Sequence, residues 1–236
     1  MKQFDMVHSL KGQLIVSCQA LNEEPLYGSD IMAKFAIAAR RGGAAGIRAN
    51  TVDDIIEIKK AVDLPIIGII KQVYEDSEVY ITPTIKEIRD LHNIGVEIIA
   101  TDFTNRTRPS GIELIQFYKQ IRDEFPDQIF MADISTYEEG IMAEKMGMDI
   151  ISTTLSGYTN YSSKVDGPDL ELVNTLSKKV EVPVICEGKI HYPKQAKSAF
   201  DSGAYAVVVG GAITRPLEIT ERFIKEINGG NHNNDL

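Results

Sequence analysis

The chain has 236 residues, 25 Lys and Arg against 34 Asp and Glu, a formal net charge of −9, and ordinary globular proportions of 43% hydrophobic and 25% charged residues. These values exclude a disordered chain, a collagenous repeat and a disulfide-stapled miniprotein, and this length buries a core without a metal or disulfide. The acidic balance argues against nucleic acid or an anionic membrane as partner, because both demand a broad basic surface.

Residues 1–12 mix Lys2, Asp5, His8 and Lys11 with few apolar side chains. They lack the apolar segment of a secretory signal and read as a lead-in to the fold. No run approaches the ~18 apolar residues of a membrane span, so the expected location is the cytoplasm. Cys18 and Cys186 sit far apart inside apolar runs, as reduced buried thiols do, and neither has zinc-site spacing.

Beyond the lead-in, short apolar, β-branched runs alternate with longer helical segments. The runs are Leu14–Ala20, Ala45–Ala49, Pro65–Lys71, Val96–Asp102, Ile129–Ile134, Asp149–Leu155, Pro183–Gly188 and Ala204–Gly211. Each is nearly continuous in apolar residues, the pattern of a parallel strand covered on both faces. Between them, Asp30, Thr51, Thr84, Ser110 and Ser135-Thr136 read as helix starts, with Pro168, Pro193 and Pro216 near the first turns of the last three helices. Gly43, Gly95, Gly147 and Gly203 suit the left-handed position where a helix hands over to the next strand. An eight-fold βα repeat without a composition break predicts a single closed (β/α)8 TIM barrel over residues 1–228, with 229–236 a disordered tail. An open doubly wound sheet is the competitor, and it lacks a GxGxxG at the first helix.

In such a barrel chemistry collects at the carboxyl ends of the strands. Those ends carry Ser17, Gln19, Arg48, Lys71, Asp102, Asp133, Thr153, Thr154 and Glu187. Alternation along strand 3 sends Lys71, Ile69 and Ile67 inward, and along strand 7 it sends Glu187 and Ile185 inward with Cys186 outward. After strand 8 comes Gly210-Gly211-Ala-Ile-Thr-Arg215-Pro216, a glycine turn entering a helix. Backbone N–H groups there approach an anion closely. With the Gly188 loop after strand 7 and a bidentate contact from Arg215, this predicts a phosphate site. Of four histidines only His191 lies near the mouth, so no His-rich metal site is expected. Asp133 and Glu187, beside Lys and Arg, read as an ion-pair network.

Seven stretches resemble the N-acetylmannosamine-6-phosphate 2-epimerase family: Leu14-Ile-Val-Ser-Cys-Gln-Ala20, Gly46-Ile-Arg-Ala49, Pro65-Ile-Ile-Gly-Ile-Ile-Lys71, Met131-Ala-Asp-Ile-Ser-Thr136, Thr153-Thr-Leu-Ser-Gly-Tyr-Thr159, Glu187-Gly188 and Val207–Pro216. They span nearly the whole chain in order. The resemblance implies a barrel that interconverts N-acetyl-D-mannosamine 6-phosphate and N-acetyl-D-glucosamine 6-phosphate without a cofactor, in amino-sugar and sialic acid breakdown. It implies catalytic roles for Lys71 and Glu187, and substrate binding by Gln19, Arg48, Asp133, Thr154, Gly188, Gly210, Gly211 and Arg215. No metal is implied, and a homodimer is. Ser152 departs from the pattern, where glycine is expected before Thr-Thr; its side chain is expected to crowd the mouth without removing activity.

The chemistry fits those residue types. Inverting C2 beside an aldehyde needs a base, a proton donor and a means of holding enolate charge. Which of Lys71 and Glu187 removes the proton stays open at this level. Two other readings differ in class: a Schiff-base aldolase on Lys71, and a sugar-phosphate sensor that binds without exchanging the C2 proton.

Overall fold

The computed structural model of the chain describes residues 3–229, so the expected tail lies, apart from Gly229, outside the described residues. Eight parallel strands close into a barrel in chain order: β1 (Leu14–Cys18), β2 (Gly46–Asn50), β3 (Ile66–Ile69), β4 (Ile98–Asp102), β5 (Ile129–Asp133), β6 (Ile150–Ser152), β7 (Val184–Glu187) and β8 (Ala206–Val209). The (β/α)8 barrel expected from the alternation is the architecture observed. Around it stand α2 (Ser29–Arg41), α3 (Val52–Ala61), α4 (Ile85–Asn93), α5 (Leu114–Glu124), α6 (Tyr137–Lys145), α7 (Leu170–Ser177), α8 (Pro193–Asp201) and α9 (Pro216–Ile227). The lead-in carries a short helix, α1 (Gln3–Ser9). No helix among the described residues is long and apolar enough to cross a membrane.

Alternation divides the core. Ile67, Ile69, Ile98, Ala100, Met131, Ile150, Ile185 and Val208 fill the barrel interior. Their neighbours Ile66, Ile99, Phe130, Ala132, Ile151 and Val184 face the helices. Met6 and Leu10 join the inner set and close the amino-terminal end with apolar bulk. Gly68 faces outward, and an added Cβ would lie 2.8 Å from Val96, so the residue between two inward isoleucines is small for a packing reason.

The helix starts follow the capping chemistry. Thr51 accepts from Asp54 N–H, and Thr84 and Thr136 form capping boxes with Glu87 and Glu139. Pro193 and Pro216 occupy first turns, whereas Pro168 precedes the N-cap, Asp169. One start differs. Ser110 sits at φ 60 in a 3-10 turn, Pro109–Gly111, and α5 begins later, at Leu114. All four expected helix–strand glycines lie at positive φ, with Gly147 at φ 86 and Gly203 at φ 100.

The strands are shorter than the apolar runs. Gln19, Lys71, Thr154 and Gly210 lie just past the last paired residue, where the backbone leaves the sheet and the side chains gain room at the mouth. Lys71 is held there by an isolated antiparallel bridge to Ile81, and its N–H donates to Asn50 Oδ1 at 2.8 Å.

Candidate active site

The carboxyl ends of the strands surround a cavity of about 280 Å³ whose wall includes Gln19, Arg48, Lys71, Thr154, Glu187, Gly188, Gly210, Gly211 and Arg215. Nine of the ten residues singled out for catalysis or substrate binding therefore share one space. Asp133 is the exception. It is fully buried behind Arg48 and reaches the cavity through that guanidinium.

Arg48 rises from β2, 1% exposed, and its Nη2 and Nη1 donate to both oxygens of Asp133 at 2.5 and 3.0 Å. Its Nη1 also meets Glu187 Oε2 at 2.6 Å. Thr154 Oγ1 lies 2.7 Å from Asp133 and 3.1 Å from Glu187, so its one proton can serve either carboxylate. Ser152 Oγ is buried 2.9 Å from Thr154 Oγ1, so its hydroxyl joins the network beneath the cavity and does not crowd the mouth. Burial works against the charge on Arg48, but Asp133 and Glu187 hold it ionised, with its pKa above the usual range. Burial likewise raises Glu187, and the nearby Asp133 charge adds to that against the pull of Arg48. Burial is the largest influence on Glu187, and because Asp133 already engages the guanidinium in two bonds, the carboxyl takes up a proton more readily than an ordinary glutamate.

Lys71 is the opposite case. Among the described residues its Nζ has no hydrogen bond or ion pair. Burial, reinforced by Arg215 and Arg48, lowers its pKa from 10.5 to about 8. Its strand, β3, lies four strands from β7 in the closed ring of eight, so Lys71 and Glu187 face the cavity from diametrically opposed sides.

Beside this pair lies the glycine region. Gly188 adopts φ 103, a conformation that favours glycine, and Gly210 and Gly211 follow β8. Arg215 faces the same space but is already engaged: Nε meets Glu24 at 3.1 Å and Nη1 meets Glu218 at 2.8 Å.

Two wall residues after β3 escaped the sequence argument, and His191, expected near the mouth, lines it. Tyr80 and Ile81 arrive on a short hairpin after β3, with Gln72 N–H donating to the Tyr80 carbonyl at 2.9 Å and Thr82 N–H donating to Ile70 at 2.7 Å. The apolar stretch Val79–Ile81 was the available signal. Tyr158 lies under Lys189, 5.3 Å from ammonium to ring centre. Among the described residues His191 Nδ1 is buried without a hydrogen-bond partner, and burial with Arg222 lowers its pKa. Asp102, expected at the mouth, is not part of the wall, because Arg106 and Thr104 enclose it. Among the described residues no group of three or more His, Cys, Asp or Glu is arranged to hold a metal ion.

Similarity to known proteins runs through nearly the whole chain. Residues 32–229 match the family model described as “Putative N-acetylmannosamine-6-phosphate epimerase”. Two relatives described as “Putative N-acetylmannosamine-6-phosphate 2-epimerase” match nearly throughout. That of Caldanaerobacter subterraneus is 53% identical over 232 residues, 98% of each chain. That of Clostridium perfringens strain SM101 is 56% identical over 218 residues, 92% of this chain and 98% of the relative. The solved N-acetylmannosamine-6-phosphate 2-epimerase of Clostridium perfringens superposes with a TM-score of 0.90 at 55% identity, covering 94% of this chain and 96% of that one. Thiamine phosphate pyrophosphorylase of Pyrococcus furiosus, with a TM-score of 0.60 and 16% identity, shares the fold alone.

Proposed function

The chain belongs to the N-acetylmannosamine-6-phosphate epimerase family, and from that premise we propose how it interconverts N-acetyl-D-mannosamine 6-phosphate and N-acetyl-D-glucosamine 6-phosphate. The carrying observation is the opposition of Lys71 and Glu187 across one cavity. Inversion at carbon calls for proton removal on one face and delivery on the other, and these groups flank the space where C2 of an open-chain sugar fits.

In the manno-to-gluco direction the neutral Lys71 amine takes the C2 proton and becomes an ammonium. The C–H electron pair moves into the C1–C2 bond, and the aldehyde oxygen becomes an enolate held by hydrogen-bond donors at the mouth, with Arg48 a fixed positive charge on the wall. The protonated carboxyl of Glu187 then delivers a proton to the other face, restoring the aldehyde and leaving a carboxylate. The reverse turnover uses the resulting ammonium and carboxylate in exchanged roles. Gln19 and Thr154 contact the sugar, Asp133 acts through Arg48, and Gly188, Gly210, Gly211 and Arg215 receive the phosphoryl group. The adjacent carbonyl acidifies C2, so acid–base chemistry without a cofactor suffices.

The same reading includes a cytoplasmic setting, a role in amino-sugar and sialic acid breakdown, and a homodimer. The last is supported by exposed Leu217, Phe223 and Ile227 along α9, apolar surface that a second copy would cover. The test is proton NMR of N-acetylmannosamine 6-phosphate in D2O. The wild type is expected to build up the gluco epimer labelled at C2, with Lys71→Met and Glu187→Gln each slower by about 10³-fold, the middle of the range for general acid–base groups. Wild-type rates of labelling in both variants would defeat the assignment. Borohydride trapping of substrate on Lys71 would instead support the aldolase.

A further inference from the structure

The region assigned above to the phosphoryl group is not open. Glu218, in the first turn of α9, places Oε2 in the space that a Cβ on Gly211 would fill. Its Oε1 accepts from Arg215 Nη1 at 2.8 Å, and Oε2 lies 3.8 Å from Arg222 Nη1. Arg215 is thus shared by two carboxylates, and the two are anchored differently. Glu24 accepts from the backbone N–H of Leu21 at 3.0 Å. Among the described residues the hydrogen bond and ion pairs of Glu218 are all to arginines, and its side chain is 37% exposed.

A carboxylate seated against a glycine turn and an arginine occupies the position of an incoming anion. We propose that Glu218 is a resident competitor for the phosphoryl cradle, holding Arg215 when no substrate is bound and swinging toward solvent when a phosphoryl group enters. Glu218 thereby becomes a determinant of which anions the cradle accepts. A phosphoryl group, with nearly two charges and three acceptor oxygens, displaces it; a singly charged group offers the arginine nothing that the tethered carboxylate lacks. The cost falls on affinity, since a site open only part of the time binds more weakly by that fraction.

This inference rests on the reading that the cradle receives phosphate, and the experiment separates the two. Inorganic phosphate is titrated calorimetrically into the wild-type enzyme and into Glu218→Gln, Glu218→Ala, Glu221→Gln and Arg215→Met variants, and KM for N-acetylmannosamine 6-phosphate is measured for each. Both Glu218 variants are expected to bind phosphate about fivefold more tightly, the scale of one like charge removed at contact range in water. KM is expected to fall by a similar factor, with kcat within about twofold. Glu221→Gln removes the same formal charge from an exposed position on the same helix and is expected to match the wild type. Unchanged or weaker phosphate binding in both Glu218 variants, with binding lost in Arg215→Met, overturns the resident competitor and leaves the cradle standing. Phosphate binding and KM untouched by Arg215→Met overturn both.

Discussion

Two buried charge clusters stand on neighbouring strands and do different things. Asp133 of β5 and Asp102 of β4 are register partners on the same face of the barrel, and both are fully buried. Asp133 meets Arg48 from β2, far away in sequence and on the cavity wall. Asp102 meets Arg106, four residues on, at 2.5 Å, while Arg108 donates to the Asp102 carbonyl and lies 4.0 Å over the Phe117 ring. The first cluster borders a cavity and contains Glu187, whose pKa is raised chiefly by burial. The second closes on itself and ties the loop after β4 to α5. Burial pulls Arg108 down to about 10 and raises Asp102, so displaced ionisation alone does not distinguish them. The open side of the first cluster does.

Asparagine substitution divides them most sharply. Asp133→Asn removes the charge that neutralises Arg48, so the guanidinium turns to Glu187, holds it as a carboxylate and takes away the proton donor. We expect kcat to fall about 10²-fold, the low end for losing a general acid. Asp102→Asn strands Arg106 instead. Stability is expected to drop by about 3 kcal/mol, as when one partner of a buried pair is removed, while kcat of the folded enzyme stays within about threefold. Urea unfolding with steady-state kinetics on both variants checks the contrast, and it collapses if the two lose activity equally.

Lys71 offers a third kind of charge, one with no ion-pair partner among the described residues. Its pKa falls from 10.5 to about 8 on folding. The unfolded chain therefore binds more protons between those values, and stability rises with pH across that window. Below about pH 8 the full cost of burying the ammonium is present. Lys71→Met is expected to stabilise the inactive protein at pH 7 by roughly 2 kcal/mol, somewhat less than the shift itself implies because the amine retains some solvent contact. The gain should shrink as pH climbs toward 10.5, a trend that thermal unfolding at pH 7 and pH 10 would reveal. An equal gain at both values would mean that packing, not charge, is responsible.

The pH–rate profile tests whether Lys71 and Glu187 act as one unit. The competent enzyme carries a single proton between them, in either direction. Log kcat/KM should therefore fall about one unit per pH unit above about 8, and again below the raised Glu187 value. If Lys71 acts alone as a base, the rate instead climbs through about 8 to a plateau. The sign of the alkaline limb decides between them.

The barrel was legible because parallel strands covered on both faces read as uninterrupted apolar runs, and the inward parity of Lys71 and Glu187 followed from counting by twos. Other features lay beyond reach for physical reasons. Asp102 and Asp133 both end β-branched or apolar runs, and nothing local says that one carboxylate finds Arg106 nearby while the other finds Arg48 across the barrel. Tyr80 enters the wall on an antiparallel hairpin that a parallel βα repeat does not anticipate. Glu218 reads as an ordinary acidic residue at a helix start, favourable there through the helix dipole alone. Only the fold of the preceding glycine turn brings it against Arg215.

The smallest expected effect concerns Ser152, where the family resemblance expects glycine. Its hydroxyl lies 2.9 Å from Thr154, and Thr154 in turn bridges Asp133 and Glu187. With Ser152 donating, Thr154 keeps its own proton for a carboxylate, so serine adds a donor to the cluster without adding charge. Ser152→Gly removes that donor and frees the chain at the end of β6. The expected loss is about 1 kcal/mol of stability, the net worth of one hydrogen bond, with kcat/KM within about threefold. Ser152→Ala isolates the hydroxyl from the backbone term. If alanine restores stability while glycine does not, the hydroxyl is incidental and the cluster beneath the cavity needs only Thr154 to link its two carboxylates.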